Sequence, residues 1–78
     1  MLRQLSTLTA GRSAVIREIE GEAKLRRRLL ELGLLPGTAV TVRKRAPFGD
    51  PMLLHLRGFD LTLRSSEAEK IRVEVQTL

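Results

Sequence analysis

Apolar residues recur along this chain at two spacings, and the points where one gives way to the other divide it into elements. Leu5 and Leu8 lead into Gly11, which reads as a turn. Residues 14–19 (Ala14 to Ile19) are apolar and β-branched, as a strand requires. Under strict alternation Val15 and Ile19 fall on the face opposite Ile16, so a bulge or a strong twist is expected there. From Glu22 to Leu32 the period becomes helical: Leu25, Leu29 and Leu32 form one stripe, with the spacing of a core-facing side. Glu20 and Glu22 stand at the positive end of that helix. Gly33 follows it as a left-handed cap residue, and Leu34 is placed to fold back on the last turn. Pro36-Gly37 has the chemistry of a type II turn.

The second half returns to the strand period. Val40 and Val42 alternate with Thr41 and Arg43. Ala46 to Pro51 is a loop whose two prolines have no N–H to give to a ladder. Met52 to Leu56 is a strand with Leu54 and Leu56 on one face, and Arg57-Gly58 a short turn. Leu61 and Leu63 alternate with Asp60, Thr62 and Arg64 in the next strand. Ser66-Glu67-Ala68-Glu69 reads as a capping box with Ser66 as the N-cap, opening a single helical turn. Arg72 to Val75 closes the pattern as a last strand. The expected fold class is mainly β: a small, strongly curved SH3-like barrel of about five strands, one inserted α-helix and a short helical turn before the last strand. An OB-fold, also five strands and a helix, is the nearest alternative, and it usually has longer strands.

Length, composition and charge narrow what such a barrel does. Its 78 residues make a single domain over 1–78 with a small core and no room for a deep cleft between lobes. The absence of Cys removes disulfides and thiolate metal sites. No apolar stretch approaches the ~20 residues of a membrane span, and Met1 to Ala10 lacks the continuous apolar run of a signal peptide, so a soluble, cytoplasmic protein is expected. The net charge of +5 suits an acidic protein surface, nucleic acid or an anionic membrane face, without choosing among them.

Candidate chemistry is sparse. His55 is the single His, and in its strand it points away from Leu54 and Leu56. A metal site would need several converging ligands, so no metal and no cofactor is expected. The glycines are isolated at turns and form no phosphate cradle. His55 also has no evident residue to orient it, and no catalytic residue is assigned. The clusters Arg26-Arg27-Arg28 and Arg43-Lys44-Arg45 could contact phosphates, which makes a small nucleic-acid-binding barrel the alternative function. Against it, Phe48 and Phe59 are the only aromatics, and three successive helical arginines fan over ~200°. The plainer reading makes most of these cations a solvated face, with one Arg pairing Glu22 or Glu31. The same shortage of aromatics argues against a reader of proline-rich peptides. Leu30 lies ~100° or more from the leucine stripe; it is either covered by Leu5 or Leu8, or exposed in a contact patch. Phe48 either folds over the barrel mouth or stands out as an anchor on a rigid loop.

Three linked segments carry a family resemblance. The run Leu25 to Thr38 (LRRRLLELGLLPGT) resembles the helix-turn signature of FeoA proteins. Arg45 to Pro51 (RAPFGDP) is similar to their inter-strand loop, and Arg57 to Arg64 followed by Glu67-Ala68-Glu69 to their closing strand and helical turn. Phe48 stands where the family more often has Leu, and Phe59 where it often has Tyr. The resemblance implies an SH3-like barrel, related to the C-terminal domain of iron-dependent repressors. It also implies a cytosolic role in bacterial ferrous-iron uptake, beside the FeoB transporter and its cytosolic GTP-binding domain. The partner-binding residues expected on that basis are Arg26, Arg27, Leu30, Phe48 and Asp50. The chain itself is expected to be a monomer or a weak homo-oligomer, to meet the membrane only through the transporter, and to bind no nucleic acid.

Overall fold

Period-two alternation places one side of each strand inward, and in the computed structural model, which describes residues 1–75, those sides meet in one core. The elements run β1 (Leu2–Gln4), a 3-10 turn (Leu5–Thr7), β2 (Ser13–Ile19), α1 (Ala23–Glu31), β3 (Ala39–Arg45), a second 3-10 turn (Pro47–Gly49), β4 (Met52–Leu56), β5 (Phe59–Leu63), α2 (Ser65–Ala68) and β6 (Ile71–Val75). All pairings are antiparallel, in the order β1-β6-β2-β3-β4-β5. The strands thus number six rather than five. The extra one, β1, is three residues long and pairs with β6; Leu2 alternating with Arg3 and Gln4 is too short a pattern to read as a strand.

Two bulges decide which residues reach the core. In β2, Ala14 and Ile16 point inward, and continued alternation would send Glu18 after them. The register slips between Ile16 and Glu18, which leaves Glu18 outside and turns Ile19 toward the core instead. The bulge expected from the Ile16/Ile19 mismatch is therefore present. In β3, Val40 and Val42 are buried and the register slips again between Val42 and Lys44. Lys44 stays exposed and Arg45, half-buried, swings to the inner side of the loop. Met52, Leu54 and Leu56 from β4, Leu63 from β5, Ile71 and Val73 from β6, and Leu5 and Leu8 from the N-terminal segment complete the core.

Helix α1 closes through a Schellman turn. Gly33 takes φ +99°, its N–H bonds the Leu30 carbonyl at 3.0 Å, and the Leu34 N–H reaches the Leu29 carbonyl at 3.1 Å. Leu34 is thereby laid over Leu29, and both are fully buried. This corrects the expected stripe: Leu29 is core and Leu25 half-buried, but Leu32 remains 38% exposed, because the reversing chain fills the next inward slot with Leu34. The Pro36-Gly37 turn follows as expected, with the Thr38 N–H on the Leu35 carbonyl at 3.0 Å and Gly37 at φ +92°. The capping box is also corrected. Helix α2 begins at Ser65 with Arg64 as N-cap, and Glu67 reaches back to the Arg64 N–H at 3.0 Å. Ser66 lies inside the helix, so only the acidic half of the expected device operates.

Candidate functional site

The outer side of α1 follows directly from its period. Once Leu29 is buried, Arg26 and Leu30, four residues apart, share the face turned to solvent. Leu30 is 39% exposed, and Leu5 and Leu8, the residues that would have covered it, are buried in the core themselves. Arg27 lies to the side, lining a shallow groove with Glu22, Lys24, Leu25, Arg28 and Glu31. Arg28, at the edge of that groove, pairs with Glu67 of α2, and among the described residues none of the three arginines makes the expected ion pair with Glu22 or Glu31.

Beyond Leu30 the turn carries more apolar surface than the sequence reading assigned. Leu32 and Leu35 are exposed on either side of Gly33. The Phe59 ring tip lies 3.5 Å from where a Cβ on Gly33 would sit, and it too is exposed. Leu35 shares a second shallow groove with Pro36 to Ala39 and with Arg57 at the tip of the β4–β5 hairpin. Leu32, Leu35 and Phe59 were missed as surface residues. The available signal was the pair Leu34-Leu35 wedged between Gly33 and Pro36, where only one of two consecutive side chains can turn inward.

The loop between β3 and β4 is built around Arg45. Its Nη1 donates to the carbonyls of Ser6 and Leu8 at 2.7 and 2.8 Å, and its Nη2 and Nε to that of Gly49 at 3.0 and 3.3 Å. Ser65 adds its hydroxyl to the Gly49 carbonyl at 3.2 Å and its N–H to the Asp50 carboxylate at 2.9 Å. Across the loop the Ala46 N–H meets the Pro51 carbonyl at 3.0 Å, and the Gly49 N–H the Ala46 carbonyl at 2.7 Å. Out of this mesh stands Phe48, at φ +69° and 106% exposed. Of the two positions open to it, the barrel mouth is the one it does not take. Asp50 anchors α2 with the oxygen given to Ser65, and it lines a polar cavity with Arg28, Pro51, Thr62, Arg64 and Glu67. The five expected contact residues therefore form no single cluster. Arg26 and Leu30 share a helix face, Arg27 flanks it, and Phe48 and Asp50 sit on a separate loop.

The basic triplets are dispersed in the same way. Arg43 lies 3.4 Å from Asp60, Arg45 is occupied by carbonyls, and Lys44 alone of that group points out without such a contact. His55 does have an orienting partner, contrary to expectation: its Nδ1 is 2.6 Å from the Asp60 carboxylate, its cross-strand neighbour in the β4–β5 ladder. The two residues are five apart in sequence, and the two-residue hairpin turn brings them opposite each other. Among the described residues no group of three or more His, Cys, Asp or Glu gathers as a metal site, and no helix is long and apolar enough to cross a membrane.

Comparison with known proteins gives consistent likenesses. The sequence model of the FeoA domain matches residues 3–75. The chain is 39% identical over 72 residues to the Fe(2+) transport protein A/Fe(2+) transporter FeoB fusion protein of Porphyromonas gingivalis; the match takes in 92% of this chain and 8% of that protein. The solution structure of a FeoA-like protein from Clostridium acetobutylicum superposes with a TM-score of 0.91 at 36% identity, covering 99% of this chain and 90% of that one. Stenotrophomonas maltophilia FeoA, an SH3 domain protein crystallised with zinc, gives a TM-score of 0.78 at 32% identity, covering 95% of this chain and 89% of that one. The SH3-like architecture expected from the strand pattern is the one these structures share.

Proposed function

From the premise that this chain belongs to the FeoA domain family, we propose that it is a cytoplasmic accessory protein of ferrous-iron uptake. In this reading it docks on the cytosolic GTP-binding part of a FeoB-type transporter and regulates it, without catalytic residues or a cofactor of its own. The observation that carries the reading is the fusion relative, in which a segment 39% identical to this chain shares one polypeptide with FeoB. Covalent linkage holds two modules at high effective concentration, an arrangement that serves modules which work together. A free-standing chain must supply the same proximity by its own affinity. Association with the membrane follows from the partner.

The surface available for docking fits this role. The outer face of α1 offers Arg26 and Leu30, with Arg27 beside them, and the β3–β4 loop offers Phe48 and Asp50. An apolar centre rimmed by arginines suits an acidic protein surface with an apolar recess. Regulation requires only that the chain bind one conformation of the GTP-binding part better than another. Arg26 or Arg27, exposed on the helix, could also reach toward a bound nucleotide.

Co-purification with the full-length transporter tests the reading. Wild-type chain is expected to be retained, and Leu30→Glu to be retained ~10-fold less, since a charge replaces apolar contact area at the centre of the face. Failure of the wild type to co-purify in any nucleotide state contradicts the proposal.

A further inference from the structure

We propose that Phe48 is a preorganised anchor that inserts its ring into a phenyl-sized apolar pocket on a folded protein partner. Two independent features of the residue need explaining. An aromatic side chain with its whole surface in water gains nothing from burial in this fold. A non-glycine residue at φ +69° also holds a conformation that L side chains disfavour, and Gly would occupy it freely. The positive φ belongs to the Pro47-Phe48 turn that the Gly49 N–H closes on the Ala46 carbonyl, a turn Gly would close with less strain. Neither the exposure of the ring nor the choice of Phe at this position therefore serves the isolated chain, and such outliers concentrate at ligand clamps and recognition sites.

The surrounding mesh explains how the conformation is kept. Arg45 ties the loop carbonyl at Gly49 to the N-terminal segment at Ser6 and Leu8, and Ser65 ties the same carbonyl and Asp50 to α2. Pro47 and Pro51 bracket the tip. Three separate parts of the chain thus fix one short loop, so little conformational entropy is left to lose when the ring docks.

The occupant is a protein pocket rather than a bilayer on two grounds. Within residues 46–51 Phe48 is the one large apolar side chain presented to solvent, whereas surface insertion into lipid gains from several. Asp50, two residues away, holds Ser65 with its carboxylate and shares a cavity with Arg28, Arg64 and Glu67. The charge beside the ring is thus mixed, as at the rim of a protein pocket, rather than the cationic cluster that anionic lipid selects. The identity of the partner rests on the docking reading above; the anchor role rests on the loop.

The test measures the affinity of the full chain for the full-length FeoB-type transporter in nanodiscs, for wild type, Phe48→Leu, Phe48→Ala and Phe48→Gly. Phe48→Ala is expected to bind at least ~30-fold more weakly, as hot-spot truncations do, with Phe48→Leu between it and wild type. The thermal midpoint of Phe48→Ala should be unchanged, because no packing is lost. Phe48→Gly should bind as weakly as Phe48→Ala while the amide shift of Ser65, which reports its bond to Asp50, stays in place, which a purely structural role for Phe48 would not produce. Equal affinity of Phe48→Ala and wild type overturns the anchor and leaves the docking reading standing. No binding by wild type overturns both. Partition of wild type into phosphatidylglycerol vesicles, abolished in Phe48→Ala, overturns the protein pocket in favour of lipid.

Discussion

Arg45 shows how much one side chain can organise. Among the described residues its guanidinium has no carboxylate partner and instead satisfies three backbone carbonyls, two in the distant N-terminal segment and one in its own loop. Removing it leaves the Ser6 and Leu8 carbonyls without that donor and the loop untied. Arg45→Met is therefore expected to lower the unfolding free energy by about 2 kcal/mol, read by urea titration. Arg45→Lys should recover little of this, because one ammonium cannot span carbonyls that a planar fork reaches in several directions. This role was hidden in the sequence. Arg43-Lys44-Arg45 reads as one basic cluster, and only the bulge after Val42 sends its third member inward while leaving the first to pair with Asp60. Phe48 was half legible: two prolines marked a rigid loop, but which way the ring turned depended on the Arg45 and Ser65 bonds that set its backbone.

At the scale of elements, local chemistry was most legible where a turn type dictates its residues. Gly33, Pro36 and Gly37 define the end of α1 and the start of β3 almost without tertiary help. Gly33→Ala is expected to cost about 1–2 kcal/mol in thermal unfolding. The added methyl would meet the Phe59 ring at an ordinary 3.5 Å, so the cost lies in the left-handed backbone and not in a clash. The β4–β5 hairpin offers the opposite prediction. Arg57 and Gly58 have φ +50° and +83°, the two positive values of a type I′ turn. Arg57→Asn, which suits that first position better, should raise stability by roughly 0.5–1 kcal/mol, measured as an upward shift in Tm. What local pattern could not show were competitions decided in three dimensions. Leu34 displaced Leu32 from the core, Glu67 of α2 paired with Arg28, and Asp60 met His55 only once the hairpin had formed.

For the molecule as a whole, the fold keeps most of its apolar surface inside the sheet and, apart from the terminal Met1, leaves two exposures among the described residues unaccounted for by folding. One is the apolar turn around Leu30, Leu32, Leu35 and Phe59; the other is the Phe48 loop. The core is small enough that truncating one central side chain is costly: Leu29→Ala is expected to lose about 3 kcal/mol, in urea or thermal unfolding, since it joins α1 to the sheet. The two outer features behave differently, as their substitution should leave stability nearly unchanged and alter association. That separation of folding from binding is what an adaptor requires.

The most direct measurement is an NMR titration of the isotope-labelled chain with the transporter's cytosolic GTP-binding domain, with and without a GTP analogue. Shifts are expected to concentrate on the outer face of α1, at Arg26, Arg27 and Leu30, and on residues 47–51, with an amplitude that depends on the nucleotide. Absence of shifts at high concentration of that domain in both nucleotide states would contradict docking there.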